Sequence, residues 1–380
     1  MRIGFDARYV DDRYHGVGRY AYQLLEALTR LYPDDRFVVL HNPRRPSTRL
    51  DLGKLLARPN VEPWSLPHDV YSTLEQPALA LAALRSRLDA FYTPYFPAPL
   101  LAPAPIVVTV HDLIFDREPR YQSGRWVRYY YRPMMWLAPR RAAAVVAVSE
   151  ATAADLQTLY RVSAEKIVVV PEAAGAQFRP VEDPAALAAT RARYALPERF
   201  VLALGVRRPH KNLPVLLEAF ALARERVPHD LVLVGEAHTR YHDEVPETIA
   251  RLGLAGRVHL TGHAADADLP AIYTLADLFV LPSLVEGFGL PALEAMGCGT
   301  PVVASSASSL PEVVGDAGLL ADPRDPAALA EAMVTVLRDR DLQARLRARG
   351  LARAREFSWE RAARQVRVVL ARAAGEPALG

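Results

Sequence analysis

Two glutamates, Glu286 and Glu294, enclose seven residues of a glycine-containing turn between two apolar segments. Two of the enclosed residues are glycines, which permit the backbone to approach a ligand closely. The candidate donor-binding residues of this turn are Gly287, Phe288, Gly289 and Leu290. Pro291 suits the first turn of a helix, whose free amides favour an anion such as phosphate. A buried Glu294 one turn further on can accept two hydrogen bonds from a ribose diol. Glu286, on the loop, is free to contact a second hydroxylated group. The alternative is a structural turn with one solvated and one capping glutamate.

Lys211 and the two arginines before it, Arg207 and Arg208, indicate a second anion site. They follow another apolar segment and open a helical pattern. Cations beside a helix N-terminus stabilise a departing diphosphate, on which negative charge grows as its bond to the transferred group breaks. We favour Arg207 with Lys211 in this role. The alternative is an exposed basic loop.

Gly16 and Gly18 form a G-x-G-x-x-A element after the first predicted strand. A dinucleotide site also requires an acidic residue at the end of the second strand. That strand is followed by His41 and Asn42 instead. We therefore predict that the glycine loop approaches donor phosphates or the acceptor, and the alternative is a structural turn.

His111, followed by Asp112, stands at the end of a predicted strand. Ligands of open α/β sheets bind at the carboxyl ends of the strands, so this histidine is a candidate catalytic residue. The alternative is a packed histidine. Weaker candidates at other strand ends are Asp6, Arg8 and Glu172.

Short apolar segments alternate with Ala-, Leu- and Arg-rich helical patterns, which predicts doubly wound α/β domains with parallel sheets. Strands are predicted at 2–6, 37–40, 90–93, 106–110, 145–148, 167–170, 200–204, 231–234, 258–260, 278–281 and 301–304. Helices are predicted at 19–30, 151–160, 212–226 and 268–276, with a long Arg-rich helical tail at 327–355 and a last helix at 359–373. The stretch 171–184 divides the chain into two Rossmann-like domains that face a cleft. These are 1–175, which the helix at about 358–375 rejoins, and 176–357.

Composition limits the function classes. The chain has 380 residues, 51% of them hydrophobic, and a formal net charge of +3, so nucleic acid is not an expected partner. Cys298 is the single cysteine, which excludes an intramolecular disulfide and cysteine metal clusters. With neither a signal peptide nor an apolar run of membrane-spanning length, we expect a cytoplasmic protein.

The segment around the two glutamates, EGFGLPALEAMGCGTPVVAS, resembles the signature of family 4 retaining glycosyltransferases of the GT-B fold. Further matches in the same order resemble the O-antigen and capsule mannosyltransferase-like branch of that family: 5–8, 16–20, 110–113, 147–150, 205–212 and 357–359. The resemblance covers nearly the whole chain. It implies two Rossmann-like domains, with the C-terminal helix crossing back to the first.

The resemblance also implies roles for the candidate residues. Glu294 would hold the donor ribose, Glu286 would touch the donor sugar, and the amides of 288–290 would line sugar and phosphate. Lys211 with an arginine would grip the diphosphate. His111 would contact the donor sugar at its 6-position or orient the acceptor.

Together these features predict a retaining hexosyltransferase that uses a nucleotide-diphosphate sugar as substrate, with no cofactor and no metal. Its acceptor would be a carbohydrate or a lipid-linked glycan in cell-surface polysaccharide or glycolipid synthesis. The alternatives are a non-catalytic nucleotide-sugar-binding protein and an epimerase or phosphorylase of the same fold.

Aromatic and basic residues are interleaved at 125–141. They suit a peripheral contact with the inner membrane face, or equally a helix that packs its aromatic side chains inward. Asp266 and Asp268 resemble a metal-binding acid pair, but they precede a helical pattern and are predicted to cap it.

Overall fold

The computed structural model describes residues 1–72, 74–121 and 125–376, which form two compact units. Unit 1 consists of Met1–Glu172 together with the C-terminal segment that begins at Ser358, and unit 2 is Ala173–Phe357. Each contains one parallel sheet, as the alternating pattern predicts.

The sheet of unit 1 has seven strands in the order β3-β2-β1-β4-β5-β6-β7. The strands are β1 Arg2–Asp6, β2 Arg36–His41, β3 Val61–Ser65, β4 Ala90–Thr93, β5 Ile106–Val110, β6 Ala144–Ala147 and β7 Ile167–Val169. The helices are α1 His15–Leu31, α2 Leu52–Leu56, α3 Glu75–Ser86, α4 Ile114–Arg117, α5 Arg132–Arg141 and α6 Glu150–Tyr160, with short 3₁₀ turns at Pro119–Tyr121 and Ala164–Lys166 and a π-helical turn at Val127–Tyr131. Strand order reverses between β1 and β4, where a doubly wound sheet opens a crevice at its carboxyl edge.

The sheet of unit 2 has six strands in the order β10-β9-β8-β11-β12-β13. The strands are β8 Phe200–Leu204, β9 Asp230–Val234, β10 Val258–Gly262, β11 Leu278–Leu281, β12 Val302–Ser305 and β13 Leu319–Ala321. The helices are α7 Pro184–Arg193, α8 Leu213–Ala223, α9 Val245–Arg251, α10 Leu269–Leu275, α11 Leu290–Gly297, α12 Leu310–Val314, α13 Pro326–Arg338 and α14 Arg340–Arg355, with a 3₁₀ turn at Pro209–Lys211. The reversal of strand order lies between β8 and β11.

The apolar strand segments are buried on both faces of each sheet. In β8, Val201 and Ala203 belong to one hydrophobic cluster, whereas Phe200 and Leu202 belong to another. Successive side chains of a strand point to opposite faces, so this division requires helices on both sides. The continuous apolar segments of the sequence therefore correctly predicted the central strands.

The two outer strands β3 and β13 have no counterpart among the predicted strands. Strand β3 contains Pro63, which removes a hydrogen-bond donor and is tolerated at an edge. Strand β13 is only three residues long. The extended conformation of an edge strand depends on its pairing with the neighbouring strand more than on its own amino-acid composition.

The predicted helical tail 327–355 consists of two helices, α13 and α14. They are separated at Asp339, which is extended and whose side chain accepts a hydrogen bond from the Leu342 amide at the start of α14. The predicted capping role of Asp268 was wrong. Asp268 precedes α10 but does not cap it with its side chain. Its carboxylate instead accepts hydrogen bonds from Arg193 and Tyr194, each at 2.7 Å.

The last helix, α15 (Trp359–Ala373), packs on α1 within unit 1, which confirms that the C-terminal segment returns to the first domain. The Trp359 ring meets Tyr20 edge-on at 5.5 Å. Buried Arg367 pairs with buried Asp35, which also holds the Met1 amino group at 2.6 Å. Within the described ranges, none of the helices combines the length and the apolar character that crossing a membrane requires.

We expect Arg367→Ala to destabilise unit 1 by about 3 kcal/mol, because removing one member of a buried ion pair leaves the other charge undercompensated. Thermal unfolding followed by circular dichroism measures the effect, and Arg372→Ala, an exposed change on the same helix, is the control. Equal unfolding temperatures for the two variants would show that the ion pair between Arg367 and Asp35 does not stabilise unit 1.

Candidate functional site

The turn after β11 is shaped by one glycine that no other residue could replace easily. Gly289 has a φ of 105° and directly precedes α11. A Cβ atom there would lie 2.6 Å from the Leu310 side chain. Both the left-handed backbone and the lack of space therefore require glycine. Pro291 lies in the first turn of the helix, as predicted.

The structure joins Glu286 and Lys211 in one ion pair. The sequence predicts them in two different sites, Glu286 at the donor sugar and Lys211 at the diphosphate. The Lys211 Nζ lies 2.7 Å from Glu286 Oε1, and Ser283 Oγ donates to the same oxygen at 2.6 Å. The side chains are 16% and 10% exposed. Glu286 therefore already has two partners within unit 2, as a buried carboxylate requires, and its contact with a hydroxylated group stays a prediction.

The charge state of Glu286 follows from these contacts. Burial alone would raise the pKa of its carboxyl group, but the positive charge of Lys211, assisted by His210 and by the hydrogen bonds from Lys211 and Ser283, lowers it. The carboxylate is therefore ionised across the neutral pH range, and a positive Lys211 lies against it.

Backbone contacts hold the two loops together. The Leu284 amide donates to the His210 carbonyl at 2.8 Å. Asn212, with a φ of 57°, donates its side-chain amide to the carbonyls of Pro282 and Pro323 at 3.1 and 2.6 Å. The sequence offered one overlooked signal here, an asparagine directly before a helical pattern, since asparagine tolerates the left-handed conformation.

Ser308 and Ser309 support the same loop from the turn after β12, and the sequence interpretation missed both. Ser308 Oγ donates to the Glu286 carbonyl at 2.7 Å, and Ser309 Oγ donates to the carbonyls of Glu286 and Phe288 at 3.0 and 2.9 Å. The available signal was the serine-rich run after β12, because serine hydroxyls commonly satisfy loop carbonyls.

Arg207 lines a small cavity together with Lys211 at the ends of β8 and β9. Its Nε donates to Asp243 at 3.0 Å and its Nη1 donates to the Gly235 carbonyl at 3.1 Å. Arg208 is exposed and does not line this cavity. Of the two arginines, the structure therefore places Arg207 beside Lys211.

Glu294 is buried, 3% exposed, within α11, and accepts a hydrogen bond from the Tyr273 hydroxyl at 3.1 Å. Tyr273 was not a predicted site residue. Burial, with the nearby Glu294 charge, also raises the pKa of the Cys298 thiol to about 12. That cysteine is therefore unreactive at neutral pH.

In unit 1, Gly16 and Gly18 lie in the first turn of α1 and not in a loop. A Cβ atom on Gly18 would lie 2.6 Å from the Tyr9 carbonyl, so this glycine permits close packing. A Cβ atom on Gly16 would meet nothing within 4 Å. Helix α1 has no side-chain cap, which leaves amides of its first turn available to an anion.

His111 is held by two acceptors within unit 1. Its Nδ1 lies 2.7 Å from Glu172 Oε1, and its Nε2 lies 2.8 Å from the Pro94 carbonyl. Two acceptors favour the doubly protonated ring. Burial opposes that form, but the hydrogen bond and charge of Glu172 and the Pro94 carbonyl outweigh burial and raise the pKa of His111.

Within the described ranges, no three or more His, Cys, Asp and Glu side chains are grouped so that they could hold a metal ion. Metal independence stays a prediction.

Two family models match the chain in the order of its domains. Residues 14–174 match "Glycosyltransferase Family 4" and residues 190–353 match "Glycosyl transferases group 1". O-antigen chain mannosyltransferase B of Escherichia coli is 32% identical over 376 residues, covering 95% of this chain and 97% of that protein. The serotype-specific mannosyltransferase WbdA of Escherichia coli is 33% identical over 275 residues, but this chain spans only about a third of its length.

Similarity extends to solved structures. The complex of Anabaena Alr3699/HepE with UDP and glucose superimposes with a TM-score of 0.75 at 25% identity, covering 98% of this chain and 99% of that one. WaaG, a glycosyltransferase of lipopolysaccharide biosynthesis, has the same fold, with a TM-score of 0.68 at 16% identity, covering 97% of this chain and 99% of that one.

We expect His111 to titrate above the ordinary pKa of a histidine, about 6.5. Because this folded-state pKa is raised, the pair with Glu172 contributes its full stability below about pH 6.5 and loses it as the pH rises through the folded pKa. Glu172→Gln should lower the His111 pKa. Histidine-selective NMR titration measures this, with His111→Asn for assignment and Glu165→Gln, an exposed carboxylate, as the control. A native midpoint at or below 6.5 would contradict the assignment.

Proposed function

This chain belongs to the family 4 glycosyltransferases, and we propose that it transfers a hexose from a nucleotide-diphosphate sugar with retention of anomeric configuration and without a metal ion. The GT-B fold and the glycosyltransferase class follow from the two sheets and the full-length relative. Retention of anomeric configuration, the roles of the site residues, and the identities of the donor sugar and the acceptor are proposed here.

The observation that carries the proposal is the Lys211–Glu286 ion pair at the carboxyl edge of unit 2. It lies where the strand order reverses between β8 and β11, the usual place for a nucleotide in an open α/β sheet. Lys211 lies beside Arg207 and would hold the diphosphate. The buried carboxylate of Glu294 would accept hydrogen bonds from the donor ribose.

Two cations held in place by carboxylates, Lys211 by Glu286 and Arg207 by Asp243, support a metal-independent reaction. As the bond to the sugar breaks, negative charge develops on the departing diphosphate. Lys211 with Arg207, and the backbone amides of 288–290 that precede Pro291, would stabilise that charge in place. Ionised Glu286 would hold Lys211 in position and contact the donor sugar.

The same arrangement supports retention by a front-face route. The Glu286 carboxylate is occupied by Lys211 and Ser283, which favours positioning over nucleophilic attack. The departing diphosphate would then take the proton of the acceptor hydroxyl on the face from which it leaves. His111, held by Glu172 and Pro94, would serve unit 1 as a positioning residue or as an imidazolium donor to substrate.

The sugar and the acceptor are inferred from relatives. The similar full-length protein is an O-antigen chain mannosyltransferase, and another, 35% identical over 282 residues of this chain, is an MMP alpha-(1->4)-mannosyltransferase of Mycolicibacterium hassiacum. They support mannose or a related hexose and a glycan acceptor in cell-surface polysaccharide synthesis, with unit 2 binding the donor and unit 1 the acceptor.

A peripheral membrane contact, by a protein otherwise located in the cytoplasm, would suit a lipid-linked acceptor. Within 125–141, buried side chains such as Val127 and Met135 pack inward, but Tyr129 is 69% exposed and Trp136 is 52% exposed. The Arg140 guanidinium lies 4.3 Å from the centre of the Trp136 ring. Aromatic rings beside arginines are typical of surfaces that meet anionic headgroups. We call 125–141 the aromatic–basic surface.

We expect Lys211→Ala to reduce turnover by about 10²–10³-fold with a modest change in donor affinity, as for loss of one charge-stabilising donor. Glu294→Gln should instead weaken donor binding about tenfold. Thermal-shift screening with UDP-, GDP-, ADP- and TDP-sugars identifies the donor, and transfer kinetics then separate KM from kcat. Lys54→Ala, an exposed lysine of unit 1, is the control.

Several outcomes would redirect this proposal. Undiminished turnover of Lys211→Ala would overturn the diphosphate assignment, and loss of activity in EDTA would overturn metal independence. Conversion of the donor without acceptor would indicate an epimerase. A bound pyridoxal chromophore would indicate a phosphorylase, and donor binding with neither transfer nor hydrolysis would indicate a binding protein.

We expect the protein to co-sediment with vesicles containing phosphatidylglycerol and Trp136→Ala to weaken that binding about tenfold, since an interfacial tryptophan buries a large apolar area. Added salt should weaken binding further. Leu222→Ala, which removes an apolar residue 55% exposed in unit 2, is the control. Equal binding of the two variants would exclude the aromatic–basic surface as the contact.

A further inference from the structure

Three of the segments that resemble the glycosyltransferase branch meet in one aromatic cluster of unit 1. They contribute one ring each, from Tyr20, His111 and Trp359. The Tyr20 ring meets the His111 ring at 4.6 Å and 88°, and it meets the Trp359 ring at 5.5 Å and 70°. Aromatic rings at these distances and angles attract one another. Tyr20 therefore connects His111 to the start of the C-terminal helix α15.

The Tyr20 ring is fixed through its hydroxyl group. This oxygen lies 2.8 Å from the Tyr92 hydroxyl, which in turn lies 2.6 Å from Thr109 Oγ1. All three residues are buried, and burial raises the pKa of Tyr20, so that its hydroxyl stays protonated at neutral pH. Thr109 belongs to β5, the strand that His111 directly follows. One strand therefore carries the histidine and anchors the tyrosine that packs against it.

Trp359 contributes ring surface and not a hydrogen bond. It is 7% exposed, and its Nε1 atom is buried without a hydrogen-bond partner among the described residues. An unsatisfied buried donor costs free energy, which a phenylalanine or a leucine would avoid. Its position is fixed because the Ser358 side chain caps α15 by accepting from the Arg361 amide at 3.1 Å. What the tryptophan adds is the packing of its large ring, which includes the contact with Tyr20.

His111 needs such packing because hydrogen bonds alone leave the tilt of its ring loosely defined. Both ring nitrogens are occupied, Nδ1 by Glu172 and Nε2 by the Pro94 carbonyl. A hydrogen bond keeps most of its strength over about 30° of misalignment. Ring contacts in a densely packed interior tolerate less movement. Tyr20 supplies such a contact at 4.6 Å, and Tyr95 supplies a more distant one at 6.0 Å.

We propose that Tyr20 and Trp359 are positioning residues for His111, and that the C-terminal helix α15 is therefore part of the His111 site. A role of His111 in sugar transfer rests on the proposed function. The contact by which α15 acts on the histidine is a separate property of unit 1, and it can be measured without donor or acceptor.

The first test follows the His111 ring by histidine-selective NMR in the full-length protein. Trp359→Leu should shift the His111 signal and move its pKa towards the ordinary value of about 6.5, because a less restrained ring keeps a weaker hydrogen bond to Glu172. The carboxylates that act on this ring, those of Glu172 and Asp112, remain in place. Trp359→Phe keeps a smaller ring and should restore part of the native signal. Val368→Ala, an exposed change on the same helix, is the matched control.

The second test separates the ring of Tyr20 from its hydroxyl group. Tyr20→Leu should shift the His111 signal as Trp359→Leu does. Tyr20→Phe keeps the ring and leaves Tyr92 bonded to Thr109, so it should retain most of the native signal. If Trp359→Leu does not fold, Trp359→Met replaces it, because methionine fills irregular space without supplying a ring.

Transfer kinetics give the functional measurement. We expect Trp359→Leu to lower kcat by about 10–10²-fold, the effect of misplacing a group by about 1 Å, with the donor KM near wild type. Val368→Ala should match the wild type in both constants. A merely structural role of Trp359 would lower the unfolding temperature and leave the His111 signal and the turnover of the folded protein unchanged.

The outcomes separate this inference from the proposed function. An unchanged His111 signal and pKa in both Tyr20→Leu and Trp359→Leu would overturn the inference at any level of activity. A shifted signal with native turnover, in a protein that His111→Asn inactivates, would also overturn it. Full transfer by His111→Asn would refute the proposed role of His111 alone, and a shifted signal in Trp359→Leu would still establish that α15 positions the ring.

Discussion

The ion pair between Lys211 and Glu286 is the constraint on which the carboxyl edge of the unit 2 sheet depends. It joins the loops that follow β8 and β11, two neighbouring strands at the reversal of strand order. Both side chains are largely buried, so neither charge is tolerable alone, and losing one partner of such a pair costs about 3–5 kcal/mol. The surrounding hydrogen bonds from Leu284 and Asn212 keep the loops at the required distance.

That arrangement explains why the ends of these loops contain small residues and serines. The carbonyls of Glu286 and Phe288 are satisfied by Ser309, and the turn before α11 needs the left-handed Gly289. Pro291 has no amide hydrogen and the Ala292 and Leu293 amides donate to the Gly289 carbonyl, so the backbone amides of 288–290 are the predicted donors of this turn. A site that stabilises developing negative charge needs donors fixed before the reaction, because reorganising them would cost free energy in the transition state.

Sequence patterns predicted the parts of the fold that local chemistry decides. Continuous apolar runs located the central strands, such as β5 and β11, because burial on both faces leaves no polar alternation. The edge strand β3 was missed because Pro63 and alternating exposure make it resemble a loop, and its pairing with β2 decides its conformation.

Sequence patterns likewise predicted only part of the candidate site. Glu294 could be predicted as buried from its helical position, but its partner Tyr273 comes from another helix. Glu286 looked free because no partner stands near it in the sequence, whereas Lys211, with which it pairs, is 75 residues away. Spacing identifies which residues carry chemistry, and only the packing of distant segments decides which of them are paired.

The two units differ in the chemistry that their strand ends present. In unit 2, two cations line one cavity beside the reversal between β8 and β11, and each is paired with a carboxylate, Lys211 with Glu286 and Arg207 with Asp243. In unit 1, Arg8 is held by Asp6 and Glu75, and its charge is therefore spent within the protein. His111 is likewise paired with Glu172. Both units therefore compensate the charges at their strand ends, and unit 2 differs because its two cations converge on one cavity, an arrangement that suits a phosphate.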